Sequence, residues 1–220
     1  MSVKPPKLTP AGLSALMCAR ICHDLVSPIG ALGTALEVLG DESNKDMHDD
    51  ALDLIRMSAG QASSKLQYLR LAFGVSGSSP GLIATEELKR LVTGMYGEGK
   101  ANIVWNEDIG ALEKGRARVL LNVIMLAVQS IPRGGELTIT LKSDDEKALL
   151  NLRSEGPKSR LDAAVESTLS GRGPADGFDG RTIQPFFTGM ILRELKGELQ
   201  THVDEASVTF DITIPHEAAE

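Results

Sequence analysis

Residues 9–40 read TPAGLSALMCARICHDLVSPIGALGTALEVLG, and this stretch decides the fold. Thr9 followed by Pro10 is a helix start: a hydroxyl that can cap free backbone amides, then a proline at the first helical position, where its missing N–H is no loss. Apolar and small residues then recur at Cys18, Ile21, Leu25, Pro28, Leu32, Ala35 and Leu39. These intervals of three and four fit the a and d positions of a heptad. Gly40 ends the pattern, and the polar stretch DESNKD at 41–46 is a turn. A second helix follows, with Leu52, Ile55, Ala59, Ala62, Leu66, Leu69 and Phe73 on its seam. Two heptad-patterned helices joined by a short connection make an antiparallel hairpin. Further apolar positions flank both seams: Leu13, Leu16 and Met17 on the first helix, Ala51 and Leu54 on the second. One hairpin cannot cover so much apolar surface. Two hairpins packed as a four-helix bundle can, so a homodimer is expected; the alternative cover is the rest of the same chain.

Beyond the hairpin, the Gly/Ser/Pro run GVSGSSPG at 74–81 reads as a linker. It divides the chain into a helical unit over 1–75 and a second unit over 82–216. The second unit reads α+β. Helices are expected over 85–97, 116–131, 160–169 and 182–195. Strands are expected over 102–106, 136–142, 148–154, 198–204 and 206–215, forming a mixed sheet with helices on one face. Trp105 reads as core.

The chain has 220 residues, 23 basic and 30 acidic, a formal charge of −7. That balance lacks the cationic footprint of a nucleic-acid binder and suits a partner with basic surface. No apolar run approaches the ~20 residues of a bilayer span, and the start MSVKPPKLTP does not resemble a secretory signal. A cytoplasmic protein is expected, with neither nucleic acid nor membrane as partner. Cys18 and Cys22 are too few for a disulfide framework and lack further metal ligands; Cys18 reads as bundle core.

Of the four histidines, His48, His202 and His216 lie in a turn, a strand and a tail and read as solvated. His23 differs. With Cys18 at position a it falls at f, facing away from the seam midway along the helix. Around it stand Ser27, Gly30, Ala31, Gly33 and Thr34, with Pro28 one turn on. Two interior glycines cost about 1 kcal/mol each against alanine, and the proline removes a hydrogen bond and predicts a kink. A helix that tolerates these losses beside an outward imidazole is shaped for close approach by another molecule. Asp24 beside His23 can hold one ring nitrogen protonated and leave the other nucleophilic.

HDLVSPIGAL, residues 23–32, resembles the H-box of two-component histidine kinases: histidine, acidic residue, leucine, two variable positions, proline, then leucine or isoleucine. The resemblance implies that His23 is phosphorylated on its outer ring nitrogen and sits on a dimeric helical hairpin. The second unit resembles the ATP-binding domain of the same kinases, in degenerate form. In RVLLNVIMLAVQSIPRGGELTI, residues 118–139, the magnesium-binding asparagine falls at Leu126, a side chain unable to ligate a hard cation. In RSEGPKS, residues 153–159, the adenine-binding aspartate falls at Ser154 and a glycine of the phosphate loop at Lys158. The glycine-rich lid is reduced to FFTGM at 186–190, with Gly189 retained.

Over most of its length the chain thus resembles the dimeric histidine phosphotransferases of alphaproteobacteria. That family implies an α+β chain: a helical hairpin followed by a degenerate kinase-type ATPase domain, an α/β sandwich. It implies a phosphorelay in cell-cycle regulation, fed by the receiver domain of a CckA-like hybrid kinase and discharged to CtrA-like and CpdR-like response regulators. His23 and Asp24 would carry the chemistry; Arg20, Ser27, Gly30, Ala31 and Thr34 would meet the receiver. No cofactor is expected on this chain, and Mg2+ is expected on the partner receiver domain. Two other readings stay open: a residual ATP-dependent autokinase and a non-catalytic receiver-binding scaffold.

Overall fold

The computed structural model describes residues 8–74, 81–97, 99–144, 146–174 and 177–216; most of the expected linker, 75–80, lies outside the described residues. Helix α1 spans Pro10–Gly40, with the Thr9 hydroxyl accepting from the Gly12 amide at 3.0 Å. A tight helical turn over Glu42–Met47 reverses the chain, and α2 runs His48–Phe73. The helix α1 is continuous through Pro28, which is buried against its neighbours, so the expected kink does not interrupt it. By length and composition α1 could cross a membrane, although the sequence contains no unbroken apolar run. Arg20, His23 and Asp24 at its middle suit a bundle helix.

The seam differs in detail from the heptad expectation. Within the hairpin, Met17, Pro28 and Ala35 of α1 are buried, together with Ala51 and Ser58 of α2. Met17 and Ala51, expected as flanks, therefore belong to the intrachain contact. Cys18, expected in the core, is exposed with Cys22. Leu52 and Leu66, expected on the seam, stay open, as do Val26 (67%), Ile29 and Leu36 (59%). The period reports the combined apolar surface of each helix, and the chain covers only part of it.

After the hairpin come β1 (Leu82–Ala84), α3 (Thr85–Tyr96), β2 (Ala101–Glu107), β3 (Ala111–Glu113) and α4 (Lys114–Ser130). They are followed by β4 (Gly135–Ser143), β5 (Lys147–Glu155), α5 (Ala163–Leu169), α6 (Ile183–Glu194), β6 (Glu198–Val203) and β7 (Ser207–Pro215). A five-stranded sheet has the order β2-β4-β5-β7-β6, parallel at β2/β4 and antiparallel elsewhere. Register aligns Ile139, Leu152 and Phe210 across three strands, and Leu141, Leu150 and Ile212 beside them. All six are buried against the helical layer, in which α4 is buried along most of its length. Thr138, Thr140, Asn151 and Asp211 alternate to the other, wetter face. The small antiparallel pair β1/β3 was not expected from sequence.

The hairpin is tied to the sheet unit by polar bonds inside an apolar contact. The Tyr68 hydroxyl donates to the Leu121 carbonyl at 2.6 Å, and Asn122 Nδ2 donates to the Ala72 carbonyl at 2.8 Å. Gln184 Nε2 donates to Asn122 Oδ1 at 3.0 Å, linking α6 to the same point. Tyr68 meets Tyr96 edge-on, and Phe73 meets Phe187 likewise, each at 5.8 Å between ring centres. Burial pushes the pKa of both tyrosines upward. Part of the apolar stripe of α2 is therefore covered by the same chain, and part is not.

Candidate functional site

His23 stands in the middle of α1 with its side chain 84% exposed. Its Nδ1 lies 3.2 Å from Asp24 Oδ1. A carboxylate can only accept, so Nδ1 is the donor of this contact, and in the neutral ring the lone pair is then on Nε2. Asp24 itself is 12% exposed, with Oδ2 receiving Arg20 Nε at 3.0 Å. Arg20 is expected to meet the receiver, yet it turns inward: it is 15% exposed and donates from Nη1 to the Gly180 carbonyl at 3.0 Å. Spacing i, i+4 on a helix brings Arg20 and Asp24 together, but sequence cannot show which way the guanidinium folds.

Pro28 has a specific consequence here. Its missing N–H would have bonded the carbonyl of Asp24, four residues earlier. Lys65 Nζ of α2 donates to that carbonyl instead, at 3.2 Å. Asp24 is thus held through its side chain by Arg20 and through its backbone by Lys65. Lys65 was not singled out in the sequence; the signal was a proline whose freed carbonyl must find another donor.

Ser27, Gly30 and Thr34 are exposed on the His23 side of α1, and Ala31 is half-buried toward α2. Around Gly30 and Gly33 an added Cβ would meet nothing within 4 Å, so this chain's own packing does not require those glycines. The other histidines lack the arrangement. His202 Nε2 is 3.6 Å from Asp211, too long for a fixed hydrogen bond, and His216 Nε2 bonds the Asp144 carbonyl at 2.8 Å.

Beside Arg20 a cavity of about 330 Å³ opens between α4 and α5, lined by Leu126, Gln129, Ser130, Arg160 and Arg181. Of the positions where a kinase-type domain would hold nucleotide, Leu126 lines this cavity, and the residues at those positions do not fit Mg-ATP. Leu126 is a buried hydrocarbon. Ser154 is fully buried and donates to the Ala127 carbonyl at 2.9 Å. The carboxylate of Asp162 caps α5 by accepting from the Ala164 amide at 2.8 Å. Among the described residues no acidic, histidine or cysteine cluster could hold a metal ion. Lys158 adopts φ of +64°, a left-handed conformation natural to the glycine of a phosphate loop. The lid reading of 186–190 is corrected: the segment lies within α6, and a Cβ on Gly189 would come within 2.1 Å of the Leu169 carbonyl. That glycine serves the close approach of α6 to α5.

A helical hairpin bearing an oriented, outward histidine, joined to a kinase-type sheet domain with altered nucleotide positions, defines the class of protein phosphotransferases built on a histidine-kinase plan. Residues 85–207 match the family described as histidine phosphotransferase C-terminal domain, and the chain belongs to the histidine phosphotransferases. It is 32% identical over 206 residues to the protein phosphotransferase ChpT of Brucella abortus (strain 2308), covering 94% of this chain and 97% of that one. A solved structure of a bacterial phosphotransferase superposes with a TM-score of 0.82 at 30% identity, covering 96% of this chain and all of that chain. The activity is phosphoryl transfer, as part of a phosphorelay.

Proposed function

We propose that the chain shuttles a phosphoryl group between the aspartates of receiver domains, with His23 as its phosphate carrier. The observation that carries this reading is the imidazole itself: exposed at mid-helix, with Nδ1 fixed on Asp24 and Nε2 directed outward. A receiver carries phosphate as an aspartyl acyl phosphate. Nε2 attacks the phosphorus in line; the N–P bond forms as the P–O bond to the acyl group breaks, and the receiver carboxylate leaves with that electron pair. The proton on Nδ1 stays, and Asp24 faces the positive charge that develops on the ring. The transition state is loose, so the protein contributes position and electrostatics rather than further covalent chemistry. The same step in reverse loads a second receiver. The receiver brings its own Mg2+.

Ser27, Gly30, Ala31 and Thr34 form the floor on which a receiver docks, and the small side chains there support a close approach. The bare stripe of Val26, Ile29, Leu36, Leu52 and Leu66 supports a homodimer through the hairpins. The donor is a CckA-like receiver and the acceptors are CtrA-like and CpdR-like regulators, in the cytoplasm. Incubation with a phosphorylated receiver domain, followed by separation of the labelled chains, tests this directly. Label on this chain that a second receiver then removes is the expected result; a chain that never acquires label overturns it.

A further inference from the structure

We propose that Arg20 is a positioning residue for phosphotransfer, holding the His23 ring through Asp24, and that the sheet unit holds Arg20 in turn; this rests on His23 being the phosphate carrier. Three contacts in series connect the two units to the nucleophile. The Gly180 carbonyl accepts from Arg20 Nη1 at 3.0 Å, Arg20 Nε bonds Asp24 Oδ2 at 3.0 Å, and Asp24 Oδ1 bonds His23 Nδ1 at 3.2 Å. The two Asp24 oxygens are divided, one for the guanidinium and one for the imidazole. A carboxylate with one oxygen anchored in a rigid fork cannot rotate freely, so the acceptor for Nδ1–H stays fixed in direction.

The first contact is supported from the sheet unit. Gly180 lies in the loop before α6, where Asp179 Oδ1 accepts from the Arg181 amide at 3.0 Å, the Thr182 amide at 2.9 Å and the Thr182 hydroxyl at 2.6 Å. This turn fixes the carbonyl that Arg20 reaches. Among the described residues, Asp24 is the carboxylate ion-paired with Arg20. Arg160 and Arg181 share the cavity beside it, and Asp162 there is engaged as the cap of α5. Buried Tyr96 lies within electrostatic range of both Arg20 and Asp24. Lys65 fixes the Asp24 backbone but does not touch its carboxylate. The carboxylate direction is therefore set by Arg20.

This assignment separates orientation from docking. Without Arg20, Asp24 can turn, and the neutral ring distributes its proton over both nitrogens, so less of it presents a lone pair at Nε2. Partners that orient a metal-bound histidine are typically worth about 10–100-fold; Arg20 is one contact farther from the ring, so R20M is expected to slow transfer by about tenfold, the low end of that range. R20K should recover part of the rate, because an ammonium can still pair with Asp24 but cannot fork to Gly180. D179A loosens the loop without touching α1 and should slow transfer in the same direction, by less.

The test is phosphotransfer from a labelled receiver, measured beside the ring 15N shifts of His23 in the full-length protein, with circular dichroism checking the fold. Wild type should show the proton on Nδ1, R20M a mixture of the two tautomers, and R20K and D179A intermediate spectra, with rates in the same order. Unchanged shifts in R20M, at any rate of transfer, overturn the positioning role. Unchanged shifts and rate in D179A overturn the support from the sheet unit. If wild type takes no label while the shifts follow this order, the phosphate-carrier reading fails and the coupling of Arg20 to His23 stands.

Discussion

Replacing Asn122 by alanine should loosen the joint between hairpin and sheet unit, and the structure sets the size of the effect. Asn122 is fully buried on α4. Its Nδ2 donates to the carbonyls of Ala72 at 2.8 Å and Arg118 at 2.9 Å, and its Oδ1 accepts from Gln184 Nε2 at 3.0 Å. The losses are unequal. Arg118 is one turn back on the same helix, so its carbonyl keeps the backbone amide of residue 122. Gln184 Nε2 keeps the Asn122 backbone carbonyl at 3.0 Å and the Thr188 hydroxyl at 3.1 Å. Ala72 is in the last turn of α2, where the helix leaves its own carbonyls without partners, and it is fully buried. One stranded acceptor costs about 1–3 kcal/mol, and the small cavity adds about 1 kcal/mol, giving about 2–4 kcal/mol in all. At about 2–4 °C per kcal/mol for a chain of this size, Tm should fall by about 4–16 °C. N122D should be no better: a carboxylate cannot donate to Ala72 and would bury a charge. Calorimetry of the three proteins is the assay. An N122A midpoint within a degree of wild type would refute the reasoning.

Leu36→Asp places a charge on the bare stripe of α1. In the proposed dimer this loses one leucine per protomer from the interface, about 3–6 kcal/mol per dimer or roughly 10²–10⁴-fold in Kd, so light scattering should find a dimer for wild type and the 23.5 kDa monomer for the variant at the same concentration; a monomeric wild type would refute the dimer. Gly30→Arg should slow transfer from a receiver while leaving thermal stability unchanged or raised by up to about 1 kcal/mol, because a side chain there meets nothing in this chain. The Thr182 hydroxyl holds the Asp179 carboxyl below its ordinary value of 3.8. Its stabilisation is complete above that value and disappears as pH falls through the lower folded-state pKa. Urea unfolding should therefore show D179N less stable than wild type at pH 6, with the gap narrowing below about pH 4.

The hairpin and the outward histidine were legible because both rest on local rules. Thr9–Pro10 begins α1 as capping chemistry requires, and position f of the heptad places His23 in solvent. The core strands β4, β5 and β7 were legible from alternation. The seam was rotated because heptad periodicity sums every apolar face of a helix. Leu52 and Leu66 satisfy it equally whether this chain or another covers them. The strands β1 and β3, three residues each, are too short to show a period. The contact between Arg20 and Gly180 joins residues 160 apart in sequence, and Tyr68, Asn122 and Gln184 are likewise united only by the tertiary fold. Gly189 was assigned to a lid because composition cannot tell a loop glycine from one that lets two helices touch.

The most direct measurement locates the phosphate. The chain is loaded from a phosphorylated receiver, digested under basic conditions that preserve phosphoramidates, and mapped by mass spectrometry, with 31P–15N correlation identifying the ring nitrogen. The account predicts one acid-labile phosphate, on Nε2 of His23, and none on the His23→Ala protein. Phosphate on Nδ1, on His48, His202 or His216, or on the His23→Ala protein would contradict it.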